Sequence, residues 1–152
     1  IVFGDWSSDV CSSDLPLPER VTLGDLTTQG LPFFNGALRL HKTVSVADPA
    51  GRCFQFQRKM AHVVDLAVNG QPLGEWFWRP FSCPLPADAL RAGANEFTLT
   101  LPGGLRNLLG PHHLDEGESY AVGPGSFFKE PNIWGNRPWR DDYCFLPFGL
   151  DI

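Results

Sequence analysis

Residues 37–46 alternate between apolar and polar side chains, with Leu38, Leu40, Val44 and Val46 on even positions and Arg39 and Thr43 on odd ones. A period of two sends apolar groups to one face of an extended chain, so a half-buried antiparallel strand is predicted here. The same alternation in residues 95–101 turns Phe97, Leu99 and Leu101 inward, and in residues 53–57 it puts Phe54 and Phe56 on one face. A further β-rich run, residues 63–68, meets Asn69-Gly70, a dipeptide that favours the positive-φ turn of a tight hairpin. Asn35-Gly36 carries the same signal between residues 31–34 and the strand that follows.

The remaining signals are turns and short pieces. Asp48-Pro49-Ala50-Gly51 reads as a turn, residues 88–93 as at most one helical turn closed by Gly93, and residues 105–109 as another single turn. Residues 102–139 are rich in Gly, Pro and polar side chains, and Tyr143-Cys144-Phe145-Leu146-Pro147-Phe148 is predicted to be a closing strand. Several short strands separated by turn signals predict an all-β fold, an antiparallel β-sandwich with long irregular loops in its last third.

Composition agrees. The 152 residues suffice for one domain, and 16 Gly, 14 Pro, 12 Phe and 5 Trp favour strands and shaped loops over helices. A net charge of −5 argues against nucleic acid or an anionic membrane as partner. No apolar run reaches the roughly 18 residues of a spanning helix, and no basic region followed by an apolar stretch marks a signal peptide.

Residues 5–15, Asp5-Trp6-Ser7-Ser8-Asp9-Val10-Cys11-Ser12-Ser13-Asp14-Leu15, have no structural period. They resemble one translated frame of a common short-read sequencing adapter, with an unbroken codon match. Residues 1–15 are therefore expected to be a non-native, disordered leader, and residues 16–152 a single sandwich domain shortened at its N-terminus. Without Asp5, Asp9 and Asp14 the chain has 14 acidic and 12 basic residues, a balance of −2, so most of the acidity belongs to the leader. Without Cys11, Cys53, Cys83 and Cys144 remain, an odd set with no CxxC spacing. Buried free thiols are the expected state, which favours a cytoplasmic over a secreted setting.

Val64-Asp65-Leu66-Ala67-Val68-Asn69-Gly70-Gln71-Pro72-Leu73-Gly74 is followed by Trp78-Arg79-Pro80-Phe81 and then by Leu90-Arg91-Ala92-Gly93-Ala94-Asn95-Glu96-Phe97. This constellation resembles the sugar-binding β-sandwich of glycoside hydrolases similar to the β-galactosidases, the galactose-binding-like jelly roll. There a strand ends in Val-x-Val-Asn-Gly, and Gly-x-Asn precedes a long strand. A second block, Leu105-Arg106-Asn107-Leu108-Leu109-Gly110-Pro111-His112-His113 with Gly117-Glu118-Ser119-Tyr120 and Gly123-Pro124, resembles the C-terminal region of large bacterial glycosyl hydrolases. The resemblance implies an accessory domain whose catalytic partner, with its carboxylate pair, lies upstream in the same polypeptide. Asn69-Gly70 would supply the hairpin turn, and Asn95 beside Gly93 would bond irregular backbone locally.

The strongest candidates for carbohydrate contact are the indoles of Trp76, Trp78, Trp134 and Trp139, on which the C–H faces of sugars stack. Alternation puts Trp76 and Trp78 on one face with Phe77 opposite, so these rings cannot all be buried alike. Arg106, Asn107, His112 and His113 could bond sugar hydroxyls, or equally satisfy backbone carbonyls of a long loop. Adjacent histidines on extended chain point apart, so a metal site from His112, His113, Asp115 and Glu116 is disfavoured. No cofactor is expected beyond a structural calcium ion that the family resemblance allows without placing it. The acidic pairs Glu116 with Glu118 and Asp141 with Asp142 read as solvated loop residues, so no catalytic residue is assigned.

Three roles stay open. The chain is expected to be a non-catalytic domain that binds carbohydrate or shapes the cleft of its parent hydrolase. It could instead stabilise the parent purely by packing on the catalytic domain, or lend a residue to a shared active site.

Overall fold

The computed structural model describes residues 18, 20–115, 121–129 and 139–151, and these form an all-β antiparallel sandwich. In chain order the strands are β1 (Gly24–Asp25), β2 (Ala37–Val46), β3 (Cys53–Gln55), β4 (Arg58–Lys59), β5 (Val64–Val68), β6 (Gln71–Trp76), β7 (Ser82–Pro84), β8 (Gly93–Pro102) and β9 (Gly149–Asp151). One layer is a four-stranded sheet ordered β2-β8-β5-β6. The other combines the β3-β7 pair with the three-stranded β1-β9-β4. These two pieces are joined because β3 leads through a bend at Gln57 directly into β4, and the chain changes partner there. The Phe56 N–H donates to the Phe81 carbonyl at 3.1 Å on the β7 side, and the next N–H, of Gln57, donates to Asp151 at 2.9 Å on the β9 side.

Alternation became burial as the pattern predicts. β2 and β8 pair over ten residues, with Leu38 opposite Leu101 and Leu40 opposite Leu99, and all four are buried. β5 adds Val64, Leu66 and Val68 to the same face. Leu26, Leu31, Phe34, Phe56, Phe148 and Leu150 cover that face from the other layer. Phe56 lies at the partner change, stacked on Phe81 (centroids 4.8 Å apart) and edge-on to Trp76 (6.0 Å). Aromatic pairs of this kind stabilise beyond the area they bury, so side-chain packing reinforces the changeover point.

The β5-β6 hairpin turns at Asn69 (φ 51°) and Gly70 (φ 82°), both left-handed, which matches the twist of the flanking strands. Asn69 does more than turn. Its N–H donates to Glu96 O (2.8 Å), its Nδ2 donates to Ala89 O and to Asn95 Oδ1 (both 2.9 Å), and its Oδ1 accepts from Glu96 N (3.0 Å). Asn95, wholly buried, uses the rest of its own amide: Nδ2 donates to Arg91 O (2.7 Å) and Gly93 O (2.9 Å), and Oδ1 also accepts from Arg91 N (2.9 Å).

Two expected elements differ. Asn35-Gly36 does not turn a hairpin: residues 31–34 form a tight turn closed by Phe34 N–H to Leu31 O, and β2 pairs with distant β8. Asn35 instead lies under Gly103, where a Cβ would come within 2.8 Å of the Asn35 backbone. The closing strand is Gly149–Asp151 and not residues 143–148, because Leu146 and Cys144 spend their N–H groups on Asn107 and on His112 O. The segment 88–93 is a turn without helix, whereas Arg106–Leu109 is the single helical turn expected, α1. Cys83 and Cys144 are buried free thiols as expected, but Cys53 is exposed, since it faces out of β3 while Phe54 faces in. Residues 1–15, and with them the adapter-like segment and Cys11, lie outside the described residues.

On the outer face of the four-stranded sheet Asp65 stands directly opposite Glu75. Burial, and then the charge of Glu75, raise the Asp65 carboxyl above the ordinary value of 3.8, and its Oδ1 is buried without a hydrogen-bond partner among the described residues. A folded-state value above the unfolded one means that the native state binds the proton more tightly. The ionised pair therefore costs stability at neutral pH, and the cost fades as pH falls through the raised value towards 3.8. Asp65→Asn is expected to stabilise by about 0.5 kcal/mol near pH 7, screening at this partly open face keeping the gain small, and by nothing near pH 3. Urea unfolding at the two pH values checks it.

Asn95→Ala, by contrast, strands Arg91 N–H, two carbonyls and the Asn69 amide. It is expected to cost about 3 kcal/mol in the same measurement, the penalty of buried polar groups left unmade.

Candidate functional site

The long stretch after β8 is built by side chains bonding backbone, in place of a sheet. α1 ends at Gly110, whose φ of 83° only glycine adopts readily, and its N–H closes the turn on Arg106 O. Asn107 is buried, with Nδ2 donating to Leu146 O (2.7 Å) and Oδ1 accepting from Leu146 N (2.9 Å). Its amide thus imitates a β-bridge and ties α1 to the last segment. The His112 Nε2–H donates to Asn107 O (2.8 Å), and the His113 Nδ1–H donates to Arg140 O (3.0 Å). Backbone pairing reinforces them: Leu114 bridges Trp139, Arg140 N–H donates to His113 O, and Cys144 N–H to His112 O.

The outcome is a connected cluster of rings. His113 stacks on Trp139 (centroids 4.8 Å, planes 22° apart) and leans on Tyr143 (5.2 Å). Tyr143 stacks on Phe145 (5.8 Å, 9°), and Phe33 meets Phe145, Tyr143 and His112 edge-on at 5.0, 5.7 and 5.7 Å. Tyr143 is 57% exposed and Phe33 42%, while His112, His113 and Trp139 are half-buried. Charged groups rim it. Arg140 lies 3.6 Å from Asp115 and 3.7 Å from Asp142, and Lys129 donates to Asp141 at 2.8 Å. That Lys129 hydrogen bond, followed by its charge, holds the Asp141 carboxyl below the ordinary value, with the Trp139 indole N–H helping. A flat aromatic surface beside fixed donors and acceptors can hold a polyol by stacking its C–H face and bonding its hydroxyls.

The expected site residues are not brought to one place. Trp76 ends β6 facing the core, edge-on to Phe56. Trp78 is 78% exposed and pairs with Phe77 (5.9 Å), because the strand stops at Trp76 and Trp78 leaves the face it would share by alternation. Trp139 belongs to the ring cluster with His112 and His113. Asn107 and the two histidines bond backbone, one of the two roles open to them from the sequence, and His113 and His112 also give ring faces to the cluster. Arg106 is half-buried on α1. Trp134, Glu116 and Glu118 lie outside the described residues. Among the described residues no three His, Cys, Asp or Glu side chains gather as metal ligands would. Tyr143, Phe33, Arg140 and Asp115 carry the site without having been singled out for it. Only the clustering of Tyr143 and Phe145 at alternate positions hinted at a shared face.

The chain defined by these observations is an all-β sandwich carrying an aromatic ring cluster on its irregular last third. No protein-family model and no curated protein matches it. Among solved structures it is similar to a rhamnosidase from Novosphingobium sp. PP1Y, with a TM-score of 0.59 and 18% identity over 89% of this chain and 12% of that one. It is also similar to Bifidobacterium dentium β-glucuronidase complexed with coumarin-3-O-glucuronide, with a TM-score of 0.48 and 22% identity over 88% of this chain and 24% of that one. Both neighbours are glycoside hydrolases, and at such identity the likeness to the first is one of fold. The chain spans 12% of the rhamnosidase, the extent of one domain within a larger polypeptide.

Asn107→Ala removes both bonds to Leu146 and leaves that half-buried residue's N–H and C=O without them. A loss of about 2 kcal/mol in urea unfolding is expected. Hydrogen exchange at the Cys144 and Leu146 amides should rise in the same variant while the amides of β2 and β8 stay protected.

Proposed function

We propose that this chain is a non-catalytic accessory sandwich of a larger glycoside hydrolase, of the galactose-binding-like kind, and that it binds carbohydrate on its ring cluster. The observation that carries the reading is the continuous aromatic surface Trp139–His113–Tyr143–Phe145, half-open to solvent and flanked by Arg140, Asp115 and Asp142. Supporting it, this chain has the fold of a small part of a glycoside hydrolase, the extent of an accessory domain. The Phe77-Trp78 pair is a second exposed aromatic surface that serves the same purpose or rests on the parent enzyme.

The rival role, packing on the catalytic domain, is favoured by a specific feature: Leu105, Leu108 and Leu109 of the α1 turn are all exposed, with Val122, Phe127 and Phe128. Exposed apolar side chains in such number are usual at contacts with another domain. The two roles are separable. Calorimetric titration of the chain with galactosides and rhamnose-containing plant oligosaccharides is expected to show millimolar binding. Trp139→Ala and Tyr143→Ala should each weaken it at least about tenfold, the worth of one stacked ring or more, whereas Leu105→Ser should leave it unchanged. Absence of heat across the panel would return the domain to a packing role.

A further inference from the structure

A cavity of about 410 Å³ opens beside the end of β2, between it and the segment around β3. That size is ample for a small ligand. Leu85 and Leu90 form its buried base, and Val44 and Phe54 its half-buried sides. The two rings in its wall, Phe54 and Phe97, are stacked on one another (6.4 Å, 26°), so aliphatic side chains supply most of the remaining surface. Burying apolar surface in such a pocket is favourable for any guest that fits.

Two cations interrupt this lining. Lys42 stands opposite Phe97 in the β2-β8 ladder, on the face that also carries Leu38 and Leu40, where the alternation calls for an apolar residue. It has no carboxylate partner among the described residues. Arg52 comes from the exposed connection between β2 and β3, and its Nε–H donates to Asp48 O (2.6 Å), which orients the guanidinium and leaves its terminal N–H groups for another acceptor. A guanidinium held in place by a backbone bond is a preorganised fork for a carboxylate.

We propose that this cavity binds an unbranched alkyl carboxylate, its chain among Val44, Leu85 and Leu90 and its carboxylate between Lys42 and Arg52. The charges are complementary, and the aliphatic side chains of Val44, Leu85 and Leu90 suit an alkyl chain. An inward cation on an edge strand also guards against strand-to-strand association, and the test separates that role from binding.

Calorimetric titration of the whole chain with sodium decanoate, below its micellar range, is expected to show saturable one-to-one binding. Decan-1-ol and acetate, which each lack one half of the recognition, bind more weakly. Lys42→Gln and Arg52→Gln each weaken decanoate about tenfold, as the loss of a charge-assisted bond does. Val44→Phe, which fills the space, abolishes saturation, and the two charge variants keep the test decisive should that one fold poorly. The proposal is overturned if decanoate gives no saturable heat or if decanol binds as tightly. It equally falls if the charge variants bind decanoate unchanged, or if Lys42→Gln merely dimerises the chain and a second copy covers the cavity.

Discussion

Two asparagine side chains, Asn69 and Asn95, decide how this sandwich is assembled. A buried amide is stable only if its donors and acceptors are matched, and an unmatched one costs as much as a core truncation. Asn95 has no exposed surface, and both hydrogens and both lone pairs of its amide are used. Asn69 clamps the hairpin turn to the backbone of Glu96 through one bond from its N–H and one to its side-chain oxygen. The network thus joins three places remote in sequence: the β5-β6 turn, the turn around Ala89, and the start of β8. A shift of β8 by one residue would break these bonds together and also turn Leu99 and Leu101 outward. Polar satisfaction and apolar burial specify the same register.

Given that register, the second layer follows from one changeover. β3, leading through the bend at Gln57 into β4, hydrogen-bonds first to β7 and then to β9, with Phe56 at the change of partner. Phe56 gathers Phe81, Trp76 and Phe54 around it, so the change of partner in the ladder coincides with aromatic packing in the core. The strands around this point are only two or three residues long, too short to be stable by pairing alone, and they persist because their side chains complete the core. A layer made this way covers the four-stranded sheet unevenly, and the cavity at the β2 end is the consequence.

The sequence discloses what depends on near neighbours. β2 and β8 were legible end to end because alternation is a local property. Asn69-Gly70 was legible because both residues take the positive φ that the dipeptide favours. Asn35-Gly36 carries the same letters but a different fate, since Phe34 is drawn into the core against Phe148 and β2 finds its partner some sixty positions on. Residues 143–148 have the composition of a strand, yet their N–H groups go to Asn107, His112 and Asp25, three acceptors that no local pattern announces. For the site, the two histidines and Trp139 were visible as residues but their stacking was not. The role of Tyr143 and Phe33 depends on segments far apart in the chain meeting at one surface. Trp76 and Trp78 look equivalent by alternation and end up opposite in exposure because the strand stops between them.

The division between a sheet-built front and a loop-built back has a functional logic. In the sandwich each residue is fixed by a ladder that must repeat, so few side chains are free to face a ligand. In the last third the backbone is satisfied one group at a time by Asn107, His112 and His113, which costs three polar side chains but leaves the neighbouring positions free of strand geometry. Those positions are where Trp139, Tyr143 and Phe145 align their rings. Once their polar atoms hold the loop, the imidazoles of His112 and His113 have their ring faces left to extend the aromatic surface. Structural and binding roles for these histidines are thus not alternatives. The same hydrogen bonds that keep the backbone from being stranded also set the orientation of the rings, and a surface whose orientation is fixed in advance loses less on binding.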